Sequence, residues 1–362
     1  MQRSRNSHFA TWEGHLVLKL IDFGEVYDEI ATHKRPHLLL GNGFSIAVKP
    51  DIFSYSSLYE NADFSKSPEI QHIFDELNTK DFEKVIQHLV VTEMVARIYD
   101  PGNNVLHSKL RDHAHIVKES LVSTIAKHHP ERPYALTDDQ YASCRSFLFQ
   151  FGHKFTLNYD VLLYWSLMHE DVDDLNLSPD DGFRNPDEYD PMYVTWQKGN
   201  SATVNYLHGA LHLFDKGTDI IKYTWSKTAV PLVDQIRSAL DQERYPLFVA
   251  EGSSDSKWHK IMHNAYLHKA YRSFESCTGP KDNTLLVFGH SLAPNDDHIL
   301  KCISKGRMRK IAVGVFGAAS DDEINEIESR AKTIQAERRR LQGDAFPLDV
   351  LFFDTRTARV WG

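Results

Sequence analysis

The chain has 362 residues, enough for one large or two ordinary domains, and 41% hydrophobic with 25% charged residues excludes wholesale disorder. Its 41 basic and 50 acidic residues give a net charge of -9, which excludes a surface built mainly to hold nucleic acid. No run of about 18 apolar residues is present to cross a bilayer, and the three distant cysteines, Cys144, Cys277 and Cys302, form neither a disulfide framework nor a zinc ribbon.

The amino-terminal stretch MQRSRNSHFATWEGHLVLKLIDF opens with basic residues, but Glu13 and Asp22 interrupt its apolar part and no small-residue cleavage site follows. A signal peptide is not expected, and a reducing, cytoplasmic compartment is. The first strand is expected at HLLLGNGFSIA, where Leu38, Leu39 and Leu40 suit a strand covered on both faces that stops at Gly41. Gly41 and Gly43 allow close backbone approach, and Ser45 stands where a hydroxyl would meet a phosphate at a helix amino terminus. An ordinary turn would use the same glycines.

Before the next strand signal comes a long stretch with apolar residues recurring at three and four, as in SPEIQHIFDELNTKDFEKVIQHLVVTEMVARIYD. One crossover does not need so much chain. The stretch predicts a helical insertion over residues 62–147, with residues 1–61 and 148–362 forming one α/β domain. Strands are then expected at HKFTLNYD, VNYLHG, PLFVAEG, TLLVFGHS, KIAVGVFG and LDVLFFDT, separated in part by helical stretches such as DDHILKCISK and DDEINEIESRAKTIQAERRRLQ. This alternation predicts an α/β fold with a Rossmann-like, open, mostly parallel sheet and helices on both faces. EDVDDLNLSPDDGFRNPDEYDPM reads as an acidic surface loop.

In open α/β sheets ligands bind at the carboxyl ends of the strands, and there this sequence gathers its glycines, amides and histidines. Asn158 and Asp160 end the second strand, although Asp160 also suits a cap for the helix after it. His208 and Gly209 end the third, His208 being a residue that titrates near neutrality or a structural hydrogen-bonder. Gly289, His290 and Ser291 close a very apolar strand, and Asp296 and Asp297 start the next helix. In PLFVAEGSSDSKWHKIMHNAYLHKAY, Lys257 reads as a solvated helix charge, with contact to a phosphate or product at the carboxyl edge as the alternative. His259 and His263 have the spacing of a zinc-binding helix, with His268 near the same face, but lack its catalytic Glu.

Taken in order, Gly-x-Gly-x-Ser, Thr-x-Asn-x-Asp, His-Gly and Gly-x-Ser-Leu resemble the four landmarks of the sirtuin-like NAD-binding fold over residues 37 to 320. The forms GNGFS, LNYD, LHG and FGHSL are most similar to those of divergent bacterial sirtuin-like and abortive-infection proteins. That resemblance implies an NAD+ hydrolase of phage defence that releases nicotinamide and leaves ADP-ribose. It implies Gly41, Asn42, Gly43, Phe44, Ser45 and Phe53 around the pyrophosphate side, and Gly289, His290, Ser291 and Asp296 on the adenosine side. It also implies Asn158, His208 and Asp160 at the nicotinamide ribose, with His208 as base. The four-cysteine zinc module of the deacetylases is missing, so no zinc is expected, and no arginine follows Phe53. Peptide deacetylation is accordingly not expected. NAD+ is the expected ligand, with an activating partner protein or a homo-oligomer as the trigger and no nucleic-acid-reading domain. A silent NAD+ or ADP-ribose sensor, a scaffold, an ADP-ribosyl transferase and a nuclease are the alternatives.

Overall fold

Short apolar runs closed by glycine or polar turns become the strands of the main sheet, because residues covered on both faces cannot alternate with polar ones. These strands are β1 (His37–Leu40), β2 (Lys154–Thr156), β3 (Val204–Tyr206), β4 (Thr284–Phe288), β5 (Lys310–Val315) and β6 (Asp349–Asp354). The computed structural model describes residues 9–12, 15–32, 34–186, 192–199 and 202–362. All pairings in the sheet are parallel, in the order β6-β5-β4-β1-β2-β3. Helices flank it, giving the expected open, Rossmann-like sheet, whose strand order reverses between β1 and β4. Among the described residues no helix is long and apolar enough to cross a membrane.

The turns after β1 and β4 meet at that switch point. Gly41 N–H donates to the Phe288 carbonyl (2.9 Å) and Gly43 N–H to the Gly289 carbonyl (2.8 Å). A Cβ on Gly43 would stand 2.5 Å from Gly289 Cα, and one on Gly289, whose φ is +70°, would stand 2.6 Å from Phe44 N. The close approach that these glycines permit is therefore that of one backbone turn to the other. The helix that follows, Gly43–Ile46, is a single turn. It is too short to present the amino-terminal phosphate site expected of it.

The stretch between β1 and β2 is helical, and its two longest helices are α1 (Phe82–Tyr99) and α2 (Asn104–His128). Asp81 starts α1 by accepting from the N–H groups of Glu83 and Lys84. This stretch has no separate core: Ile70, Phe74, Phe82, Val85, Val117 and Leu121 belong to the same apolar cluster as Leu38–Leu40 and Leu285–Phe288.

Two expectations are corrected. PLFVAEG forms no strand; it runs past the end of β3, with a single bridge between Gly209 and Phe248. Its bonds are Ala210 N–H to the Leu247 carbonyl and Val249 N–H to the His208 carbonyl. The acidic stretch is not loop throughout, since Phe183–Arg184 joins a separate antiparallel sheet with Tyr193–Trp196, Ile220–Tyr223 and Leu213–Asp215. Residues 187–191 of that stretch, and residues 1–8 and 13–14 of the amino-terminal stretch, lie outside the described residues.

Gly289→Ala should lower unfolding stability by roughly 2–4 kcal/mol through strain and overpacking. Gly102→Ala, where nothing lies within 4 Å of an added Cβ, should change it by less than about 0.5 kcal/mol. Urea denaturation of the two variants measures the difference, and equal stabilities would refute the packing of the two turns.

Candidate active site

One cavity of about 1210 Å³ opens at the carboxyl ends of the strands, lined by residues from β1, β2, β3 and β4 turns, from the helical stretch and from the carboxyl-terminal residues. Of the residues singled out in the sequence, Gly41, Asn42, Gly43, Phe53, Asn158, Asp160, His208, Gly289, His290, Ser291 and Asp296 line it. Phe44 and Ser45 do not. Phe44 packs behind the turn against Trp361, whose Nε1–H donates to the Phe44 carbonyl at 2.9 Å.

Ser45 is fully buried and serves the site from behind, as the centre of a relay. Asn158 Nδ2 donates to Ser45 Oγ (3.0 Å), and Ser45 Oγ donates to Asp160 Oδ2 (2.5 Å). Its hydroxyl therefore holds Asp160 and is not turned to the cavity. Asp160 Oδ1 accepts from Leu162 N–H at 2.9 Å, so the capping reading holds as well. Burial pushes the Asp160 carboxyl up, against the pull of Ser45 and Leu162. The relay uses the Asn158 amide nitrogen as a donor and leaves Asn158 Oδ1 buried without a partner.

Across the cavity wall lies a buried ionic cluster that the sequence did not reveal. Lys257, on α3 (Ser254–His263), is 0% exposed and places Nζ 2.6 Å from Glu83 Oε2 and 2.8 Å from Asp296 Oδ1. The reading of Lys257 as a solvated charge is thus corrected: the first turns of α1 and α3 converge on the loop before α4 (Asp297–Lys305). Burial opposes the Lys257 charge, but Glu83 and Asp296 outweigh it and hold the ammonium protonated. Burial would also raise Asp296, yet Lys257 and the bond from His290 hold it well below the carboxylate range. Glu83 is raised, by burial. Glu83 also accepts from Asn295 Nδ2 (2.7 Å) and from the Tyr159 hydroxyl (2.8 Å).

Burial holds two histidines beside this cluster, His208 and His298, neutral. His290 Nδ1 accepts from Leu292 N–H (3.1 Å), so its Nε2–H donates to Asp296 Oδ2 (2.9 Å). Both nitrogens are used internally, and Asp296 Oδ1 also stands 3.8 Å from His208 Nε2. His208 and His298 stack with Nε2 atoms 3.0 Å apart, a spacing that needs one donor and one acceptor. Burial, reinforced by Lys257, pushes His208 well below its ordinary value, and His298 falls to about 3 for the same first reason. His208, Asp296 and His298 are close enough to gather round a cation, but the Lys257 ammonium already occupies Asp296 Oδ1. His259, His263 and His268 are exposed, and the helix carrying the first two ends at Asn264.

No sequence signal distinguished Glu83, Tyr159, Asn295 or His298, since each stands in an ordinary helix or turn position. Gly209 is a different matter. With φ +76° and a virtual Cβ 2.0 Å from the Leu247 carbonyl, it is the residue that lets the chain turn beside His208.

Two outcomes follow from these charges. Lys257→Met should cost about 3–5 kcal/mol at neutral pH by leaving two buried carboxylates without their cation. The deficit should narrow in acid as those carboxylates protonate, as urea denaturation at several pH values would register. In the native protein, His208, His212, His298 and His129, the last lowered to about 4, are neutral when folded and titrate near 6.5 when unfolded. Their contribution is present above pH 6.5 and lost as pH falls below it, at about 1.4 kcal/mol per pH unit for each proton bound on unfolding. The melting temperature should therefore drop between pH 7 and pH 5; a flat profile would contradict the neutral assignment.

None of the curated proteins compared with the chain matches it. Residues 38–361, which contain β2 to β6, all of β1 but His37 and every residue of the cavity wall named above, match the family described as Domain of unknown function (DUF4917), and the chain belongs to that family.

Proposed function

We propose that the cavity binds NAD+ and that the protein hydrolyses the nicotinamide–ribose bond, releasing nicotinamide and ADP-ribose. The observation that carries this reading is Asn158, on the cavity wall with His208, whose Oδ1 is buried without a partner. An unmet buried acceptor costs about 1–3 kcal/mol, which a ligand hydroxyl or amide would offset. A volume of about 1210 Å³ is above the usual span for a small metabolite and suits a dinucleotide. Arg359 lines the same cavity and forms no ion pair among the described residues, so it is available to a pyrophosphate.

Breaking the glycosidic bond moves its electron pair onto nicotinamide and leaves positive charge on the ribose carbon. Asp160 and Asp296 both line the cavity, and in this reading their carboxylates face that charge. Water then adds to the carbon, and neutral His208 takes the proton it loses before passing it to solvent. Asn158 holds the ribose hydroxyls, and Ser45 fixes Asn158 and Asp160 relative to each other. The anti-phage role, and control by a partner protein or a second copy, follow from the resemblance of the four motifs to sirtuin-like defence proteins.

Incubation of the purified chain with NAD+ should release nicotinamide, measured by chromatography, and Asn158→Ala and His208→Ala should each reduce the rate by about a hundredfold or more. Calorimetric NAD+ binding without release would turn the reading to a sensor. Label retained on an acceptor would turn it to ADP-ribosyl transfer. Absence of binding would end the NAD+ reading.

A further inference from the structure

Helix α1 has two apolar faces. At 3.6 residues per turn, Phe82, Val85, Ile86 and Leu89 share one side and are buried, whereas Val91, Met94, Val95 and Ile98 fall on the opposite side and are exposed. Beyond Leu89 the helix leaves the body of the protein: no residue from Val90 to Leu106 is buried. α1 and the start of α2 therefore form a projecting helical arm. Its tip carries Ile98 (73% exposed), Tyr99 (85%) and Val105 (81%).

We infer that this arm is a self-association surface, and that its occupant is the same arm of a second copy, the two hairpins packing as a four-helix bundle about a twofold axis. Three observations favour a second copy. The exposed side chains of Val91, Met94, Val95 and Ile98, with Val105 and Leu106 at the tip, amount to an area on the order of 600 Å², at the low end of the share each partner brings to a standard interface and at the upper end of what a soluble monomer ordinarily leaves open. Of the charged groups beside the patch, Glu93 pairs with both Arg97 and Arg111 within the arm. The stripe of Val91, Met94, Val95 and Ile98 itself carries no charge, which suits apolar packing against a second copy. Two antiparallel helices with one apolar stripe are also self-complementary under a twofold operation, as an isologous contact requires.

The proposal is independent of the NAD+ reading, and its measurement does not use turnover. Light scattering of the full chain at micromolar concentration should give twice the mass of one chain. The double variant Met94→Glu/Ile98→Glu should give the mass of one chain with an unchanged circular dichroism spectrum, because both side chains are exposed in the monomer. Tyr134→Glu, at an exposed position away from the arm, should remain a dimer. A wild-type chain of single mass, or a double variant that stays dimeric, overturns the inference; a monomer that co-sediments with phosphatidylcholine vesicles through the arm also overturns it and assigns the patch to lipid.

Discussion

The cavity depends on one buried ammonium. Lys257 has no exposed surface, so its charge is tolerated only because Glu83 and Asp296 lie within hydrogen-bond distance. These three groups come from α1, from α3 and from the loop before α4, and their attraction fixes those elements relative to one another. A hydrophobic trio of the same volume would pack as well but would not specify direction as an ion pair does. Through Asp296 the same charge orients His290, and it reinforces the burial that keeps His208 neutral.

The opposite wall is set by sterics. Gly43 and Gly289 bring the turns after β1 and β4 into backbone contact, which seals the switch point of the sheet and leaves the space above it open. Behind that seal, Ser45 couples Asn158 to Asp160, and Trp361 closes the back of the Phe44 turn. Asn158 Oδ1, buried without a partner, and His208, held neutral by burial, both stand on the cavity wall.

Helix α1 joins two otherwise separate regions. Its first turn supplies Glu83 to the cavity, and its last turns carry the exposed apolar arm. Being one continuous helix, it holds the two ends in fixed relation. The helical stretch between β1 and β2 is thus part of the site's construction, sharing the core of the sheet while adding a carboxylate that the sheet itself does not provide.

The strands of the main sheet and their ends were legible in the chain before any fold was known. Leu38–Leu40, Leu285–Phe288 and Ile311–Val315 are apolar runs that can be satisfied only by a doubly covered strand, and local chemistry at Gly41, Asn158, His208 and Gly289 marks where each run stops. Those positions collect at one cavity because parallel strands share a carboxyl edge. The burial of Lys257, the pairing of Glu83 with it, the turning of Ser45 away from the cavity and the stacking of His298 on His208 came from folding in three dimensions. Each depends on partners far away in the chain, such as Glu83 and Lys257, and a long-range electrostatic contact leaves no periodicity or local propensity by which it could be read. The short strands of the second sheet escaped for the related reason that two to four residues are too few to establish an alternation.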